Sequence, residues 1–244
     1  MTLELPTGSI HLWLAFPDEI NDEALLSSYG RLLNEEEKKR WQRFHFARHR
    51  HQYLVTRALI RSTLSRYVDI DPADWRFSFN NHGKPEILSA LADKPIRFNL
   101  SHTNGLVMCA IVLENDIGVD IEDMQRKPAT LDIAGHFFSR QEAEDLHNLP
   151  ESGQSRRFFE YWTLKEAYIK ARGMGLALPL KQFGFMISEN QPVQISFDPR
   201  MEDNPAHWQF WQLWPSENHI AAIAVKSETN MKFQLLMNKV IPLQ

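Results

Sequence analysis

Apolar and polar positions along this chain predict a sequence of elements that occurs twice. Leu33-Asn34-Glu35-Glu36-Glu37 and Phe138-Ser139-Arg140-Gln141-Glu142 each place a capping side chain, Asn34 or Ser139, three residues ahead of a glutamate, the mark of a helix start. After each start comes a longer helical stretch, Gln52 to Tyr67 in the first case and Arg156 to Arg172 in the second. Strand-like segments then follow in each half: Trp75 to Phe79 and Arg97 to Leu113, then Phe183 to Ile187 and Trp208 to Val225. An opening strand, Ser9 to Phe16, corresponds to Ile117 to Asp123. The expected architecture is α/β (α+β): two similar, pseudo-duplicated halves, 1–116 and 117–244, with the active site in the cleft between them.

The opening strand of the second half carries Gly118-Val119-Asp120-Ile121-Glu122. Alternation along a strand puts Asp120 and Glu122 on one face and the apolar Val119 and Ile121 on the other. Two carboxylates roughly 4 Å apart at an effective dielectric of about 20 repel by about 4 kcal/mol, so a cation is expected between them. On the predicted helix, Glu166 and Lys170 stand four apart and share a face with Trp162, among bulky residues such as Phe158, Phe159, Tyr161 and Tyr168. Asp120, Glu122 and Glu166 together form an oxygen-only donor set, which suits a hard cation such as Mg²⁺ and, with it, a phosphate-bearing substrate. Zinc fits less well. His45 and His49 stand four apart, but no second set of ligands accompanies them, and a solvated basic helix face accounts for them.

Composition narrows the partners. The 244 residues are 43% hydrophobic and 24% charged, enough for a well-buried core, and a net charge of −4 provides no global attraction to nucleic acid or an anionic membrane. Apolar runs are strand-length, and Met1 to Gly8 lacks the pattern of a secretion signal, so a cytoplasmic location is expected. The single cysteine, Cys109, lies in the apolar run Leu106 to Leu113 and reads as a core residue. Local anion-binding groups are nevertheless present. Lys38-Lys39-Arg40, with Arg43, Arg48 and Arg50, is interleaved with Trp41, Phe44 and Phe46. Gly83 in the turn Asn81-His82-Gly83-Lys84-Pro85 allows close backbone approach, and Lys84 offers a point charge. Ser101 and His102, in Asn99-Leu100-Ser101-His102-Thr103-Asn104-Gly105, suit phosphate oxygens. Adjacent residues on a strand diverge and no nucleophile-elbow pattern surrounds Ser101, so acyl-enzyme chemistry is not expected. The polar stretch Gln125-Arg126-Lys127-Pro128-Ala129-Thr130 reads as a loop beside the carboxylate strand.

In order, Asn81 to Pro85, Asn99 to His102, Gly118 to Glu122, Phe137-Phe138-Ser139 and Trp162-Thr163-Leu164-Lys165-Glu166-Ala167-Tyr168-Ile169-Lys170 closely resemble the signature blocks of the 4′-phosphopantetheinyl transferases, in the monomeric, two-half, Sfp-type branch. Gly173-Met174-Gly175-Leu176 fits the same pattern at the end of the long helix. The resemblance implies transfer of the phosphopantetheine arm of coenzyme A to a serine of an apo acyl or peptidyl carrier protein, releasing 3′,5′-ADP. It implies Mg²⁺ on Asp120, Glu122 and Glu166, with Glu166 also the general base. Lys170 is implied to neutralise the pyrophosphate, Ser101 and His102 to contact phosphate, Lys84 to belong to the nucleotide-binding turn, and Arg40 to hold the 3′-phosphate. One departure stands out: where relatives often carry a further basic residue one turn before Arg40, this chain has Glu36 or Glu37. By fold analogy the loop Gln125 to Thr130 is expected to meet the carrier. A Mg²⁺-dependent phosphohydrolase acting on coenzyme A or a related diphosphate and a non-catalytic coenzyme A-binding module are the competing readings. A nucleic-acid binder built on Lys38 to Arg50 is disfavoured by the overall acidity.

Overall fold

The computed structural model describes residues 2–88, 94–126, 131–229 and 231–244, and these divide into two compact units. The first comprises Met1–Ser78, Pro85–Glu114 and Phe233–Gln244. It opens with β1 (Ser9–Ala15), continues through α1 (Glu23–Leu32), α2 (Glu35–Gln42) and α3 (Ala47–Leu64), and reaches the short strands β2 (Phe77–Phe79) and β3 (Pro85–Ile87). The hairpin β4 (Ile96–Thr103) and β5 (Leu106–Leu113) follows. β1 runs antiparallel to β5, with Trp13 opposite Cys109, and β5 antiparallel to β4, with Met108 opposite Ser101. Leu54, Val55, Ala58 and Leu59 of α3 pack with Trp13, Val107, Cys109 and Ile111 as the core. Burial holds the Cys109 thiol well above its usual range, as befits a core residue with no role as a nucleophile.

The second unit comprises Phe79–Lys84 and Asn115–Lys232. After β6 (Ile117–Asp123) come α4 (Leu131–Phe137), α5 (Arg140–Asn148) and α6 (Glu151–Arg172). The ribbon β7 (Phe183–Met186) and β8 (Gln194–Phe197) precedes the hairpin β9 (Trp208–Ser216) and β10 (His219–Lys226). β6 runs antiparallel to β10, and β10 antiparallel to β9. The strand order β6-β10-β9 thus repeats β1-β5-β4, and in each unit the opening strand lies beside the last strand of the hairpin. α6 begins at Glu151, earlier than the expected Arg156, and α3 at Ala47 rather than Gln52. β11 (Gln234–Lys239), not foreseen from the sequence, adds in parallel along β1.

The repeat extends to side chains. Both predicted capping boxes are formed: Asn34 with Glu37 at the start of α2, and Ser139 with Glu142 at the start of α5. In each unit the capping glutamate also holds a buried cation from the long helix. Glu37 Oε2 accepts from Arg61 Nη2 at 2.7 Å, and Arg61 Nη1 donates to the Trp75 carbonyl at 2.7 Å. Glu142 Oε2 lies 2.9 Å from Lys165 Nζ, which donates to the carbonyls of Leu180 and Phe183 at 2.9 and 2.7 Å. A buried charge is tolerated only when paired and hydrogen-bonded. The same solution therefore ties helix start and long helix to the segment that leads into the following ribbon in both units. Of the two acids one turn before Arg40, Glu37 is thus a structural residue committed to its helix cap and to Arg61.

Candidate active site

The carboxylate face is set by backbone packing. Gly118, Asp120 and Glu122 alternate along β6 and turn toward α6. A Cβ added at Gly118 would lie 2.0 Å from the Ala167 carbonyl oxygen and 2.3 Å from the Ala171 nitrogen, so strand and helix backbones touch here. Ala167 and Ala171, one turn apart and buried, are small enough to allow it. Glu166 and Lys170 each precede one of these alanines and are carried to the same place. Lys170 Nζ donates to Asp120 Oδ1 at 2.6 Å.

The end of α6 is fastened by the turn Asn80 to Lys84. Gly173 terminates the helix in the left-handed conformation, φ 64°, and its carbonyl accepts from Asn80 Nδ2 at 2.8 Å. Lys84 Nζ donates to the carbonyls of Ala171 and Ile117 at 3.0 and 3.2 Å, a cation at a helix C-terminus bridging to the first residue of β6. Lys84 therefore belongs to the scaffold of the carboxylate face.

Electrostatics mark the same face. Burial, and then the charge of Asp120, push Glu122 up to about 7. Burial, again followed by Asp120, raises Glu166 above its ordinary value. Asp120 is thus the common neighbour of both glutamates. Trp162 Nε1 donates to Glu122 Oε1 at 3.1 Å, and the indole is itself held by stacking on Phe158 and edge contact with Phe137. Among the described residues no three histidine, cysteine or acid side chains stand converged as a ready-made metal cluster. The donor chemistry nevertheless fits a hard divalent cation: oxygen ligands only, desolvated, and mutually repelling.

Ser101, His102 and Arg40 lie in the first unit. Ser101 is buried on β4 opposite Met108, and His102, exposed, is opposite Val107, so the two side chains leave opposite faces of the strand. Arg40 is exposed near the end of α2. His49 makes edge contacts with Phe44 and Phe46, consistent with a surface aromatic cluster. Of the loop Gln125 to Thr130, residues 127–130 lie outside the described residues. Its start is fixed by Gln125 Nε2 donating to Asn218 Oδ1 at 3.0 Å and Gln125 N to Asp123 Oδ1 at 2.9 Å. Sequence reasoning placed Trp162 on the stripe of Glu166 without its contact to Glu122, and missed Asn80. The spacing of Trp162 to Glu166 and Lys170 was the available signal for the first; nothing local signals the second.

The chain matches the 4′-phosphopantetheinyl transferase superfamily over residues 116–224, and the N-terminal 4′-phosphopantetheinyl transferase family over residues 21–113. It is 32% identical over 223 residues to 4′-phosphopantetheinyl transferase HetI of Nostoc sp., covering 91% of this chain and 90% of that protein. It is 34% identical over 184 residues to 4′-phosphopantetheinyl transferase Sfp of Bacillus subtilis, covering 75% of this chain and 78% of that protein. A further 4′-phosphopantetheinyl transferase of Bacillus subtilis is 37% identical over 160 residues, 66% and 69% of the two chains. With a carboxylate face built by β6 and α6 inside the matched span, the chain belongs to the 4′-phosphopantetheinyl transferase superfamily.

Proposed function

We propose that the chain transfers the 4′-phosphopantetheine moiety of coenzyme A to a serine of an apo acyl or peptidyl carrier protein and releases 3′,5′-ADP. The observation that carries this reading is the gathering of Asp120, Glu122, Glu166 and Lys170 where β6 meets α6, in a member of this family. Asp120, Glu122 and Glu166 would hold Mg²⁺, which when bound supplies positive charge to the diphosphate oxygens. Glu166, held above the ordinary carboxyl range by burial and then by the charge of Asp120, is suited to take the proton of the carrier serine. The serine oxygen attacks the phosphorus bearing the pantetheine arm, the bond to the 3′,5′-ADP oxygen breaks, and Lys170 neutralises charge on the departing group. Trp162 orients Glu122. Ser101, His102 and Arg40 are assigned to the phosphates of the coenzyme, Lys84 to the nucleotide-binding turn as well as to the α6 terminus, and Gln125 to Thr130 to the carrier. The same reading takes the chain as a cytoplasmic monomer; no helix among the described residues is long and apolar enough to cross a membrane.

The test is incubation with coenzyme A, Mg²⁺ and several apo carrier proteins, followed by intact mass measurement of the carrier. A mass gain of one phosphopantetheine group that stops on chelation and returns with Mg²⁺ is expected. Absence of any gain across carrier types refutes the transferase reading. Phosphopantetheine released without a carrier would favour a phosphohydrolase, and coenzyme affinity without turnover a binding module.

A further inference from the structure

β9 is the outer strand of its sheet. β10 takes one edge, and among the described residues no strand takes the other. An antiparallel edge strand turns half of its backbone N–H and C=O groups outward. From Phe210 to Trp214 no backbone group has a partner outside the β10 ladder among the described residues.

A cavity of about 620 Å³ follows this edge, and its lining includes Phe210, Trp211, Gln212 and Trp214, Arg156 and Glu160 of α6, and Glu189 and Val193 from the segment after β7. Alternation puts Phe210 and Gln212 on one face, which turns to α6, since Gln212 Nε2 donates to the Glu160 carbonyl at 3.0 Å; the ladder shifts register beyond Leu213, and Trp214 is placed on the α6 side by its contact with Arg156. Trp211 belongs to the opposite face yet lines the same cavity. The cavity therefore wraps the strand edge and does not lie on one face alone.

Arg156 stands beside this edge with its fork open. Its Nε is held by Glu160 Oε1 at 3.0 Å, and its guanidinium carbon lies 5.4 Å from the centre of the Trp214 ring. The other Glu160 oxygen is occupied by Arg157. The side chain of Arg156 is 65% exposed, and its two Nη nitrogens have no partner among the described residues. That is a donor pair spaced for a carboxylate. A second copy of β9 would not supply one, because Trp208–Ser216 contains no acidic residue.

We propose that the outer edge of β9 docks an extended peptide segment of a partner protein by strand addition, with an acidic residue of that segment on Arg156. Main-chain hydrogen bonds to β9 supply affinity, and the carboxylate on Arg156 fixes register. Neither Arg156 nor Trp214 belongs to the carboxylate face, so the inference does not depend on the transferase reading.

The test is selection from a random-peptide library against the full chain, followed by fluorescence anisotropy of the enriched peptides. Enriched peptides are expected to alternate β-branched residues and to carry an acid, and methylation of alternate peptide amides should abolish binding. Arg156→Gln, and independently Trp214→Ala, should each weaken binding about tenfold or more while the circular dichroism spectrum and carrier modification stay unchanged. No enrichment over the Arg156→Gln protein, binding insensitive to amide methylation, or self-association through this edge in sedimentation would each overturn the proposal.

Discussion

Gly118→Ala perturbs the site without touching a functional group. The added Cβ would sit 2.0 Å from the Ala167 carbonyl oxygen, 2.3 Å from the Ala171 nitrogen and 3.0 Å from the Ala171 Cα. Ordinary contact needs about 3.4 Å or more, and all three atoms are helix backbone, so β6 and α6 must separate by about 1 Å or more. Such overpacking costs about 1–3 kcal/mol of stability. The displacement falls between Asp120 and Glu122 on one side and Glu166 and Lys170 on the other, and breaks the 2.6 Å contact of Lys170 with Asp120. A misplacement of about 1 Å lowers turnover roughly 100-fold. The assay is initial rate of carrier modification at saturating coenzyme A, beside a urea melt at the same temperature. A folded variant with a lowered urea midpoint and wild-type turnover would refute the claim that this backbone contact positions the site. An unchanged midpoint would refute the contact itself.

Other expectations follow from single contacts. Asp120→Ala or Glu166→Gln should abolish transfer with a native circular dichroism spectrum, and near-normal turnover in either would contradict their assignment. Trp162→Phe removes the donor to Glu122 and should raise the Mg²⁺ concentration for half-maximal rate about 10- to 100-fold; an unchanged Mg²⁺ titration would show that the indole only packs. Lys165→Met strands Glu142 in the core and should cost about 3–5 kcal/mol in a urea melt, with Glu142→Leu restoring part of the loss in the double variant; simple additivity would contradict the pairing. His11 is held below its ordinary 6.5 by burial, with the Tyr67 hydroxyl 2.7 Å from Nδ1 and that hydroxyl accepting from Trp13 Nε1. The unfolded chain therefore takes up the proton first. Stability from this group is complete above pH about 6.5 and falls as pH drops from there toward the depressed folded value, by at most about 1.4 kcal/mol per pH unit. His11→Gln should flatten the pH dependence of the urea midpoint in that window, and an identical profile would contradict the assignment.

How much could be read beforehand depended on whether the cause was local. The capping boxes at Asn34 and Ser139 were legible because cap and glutamate meet within one turn. β6 was legible for the same reason: its period of two assigns Asp120 and Glu122 to one face. β11 was not, because its side chains are mostly exposed and its pairing is with β1, most of the chain away. α1 likewise has few buried positions, chiefly Tyr29 and Leu32.

The sequence by itself determined the repeated order of elements, the carboxylate strand, the Glu166 and Lys170 stripe and, through its motif blocks, the family. These are properties of spacing, and helix and strand periods convert spacing into faces. Only the tertiary structure decided why Gly118 must be glycine, that Lys84 and Asn80 fasten α6, that Lys165 and Arg61 are buried partners of the capping glutamates, and that Trp162 holds Glu122. Each of those depends on which backbones approach within contact distance. That is settled by the packing of β6 against α6 and of each long helix on its own sheet, between residues separated by about twenty to ninety positions.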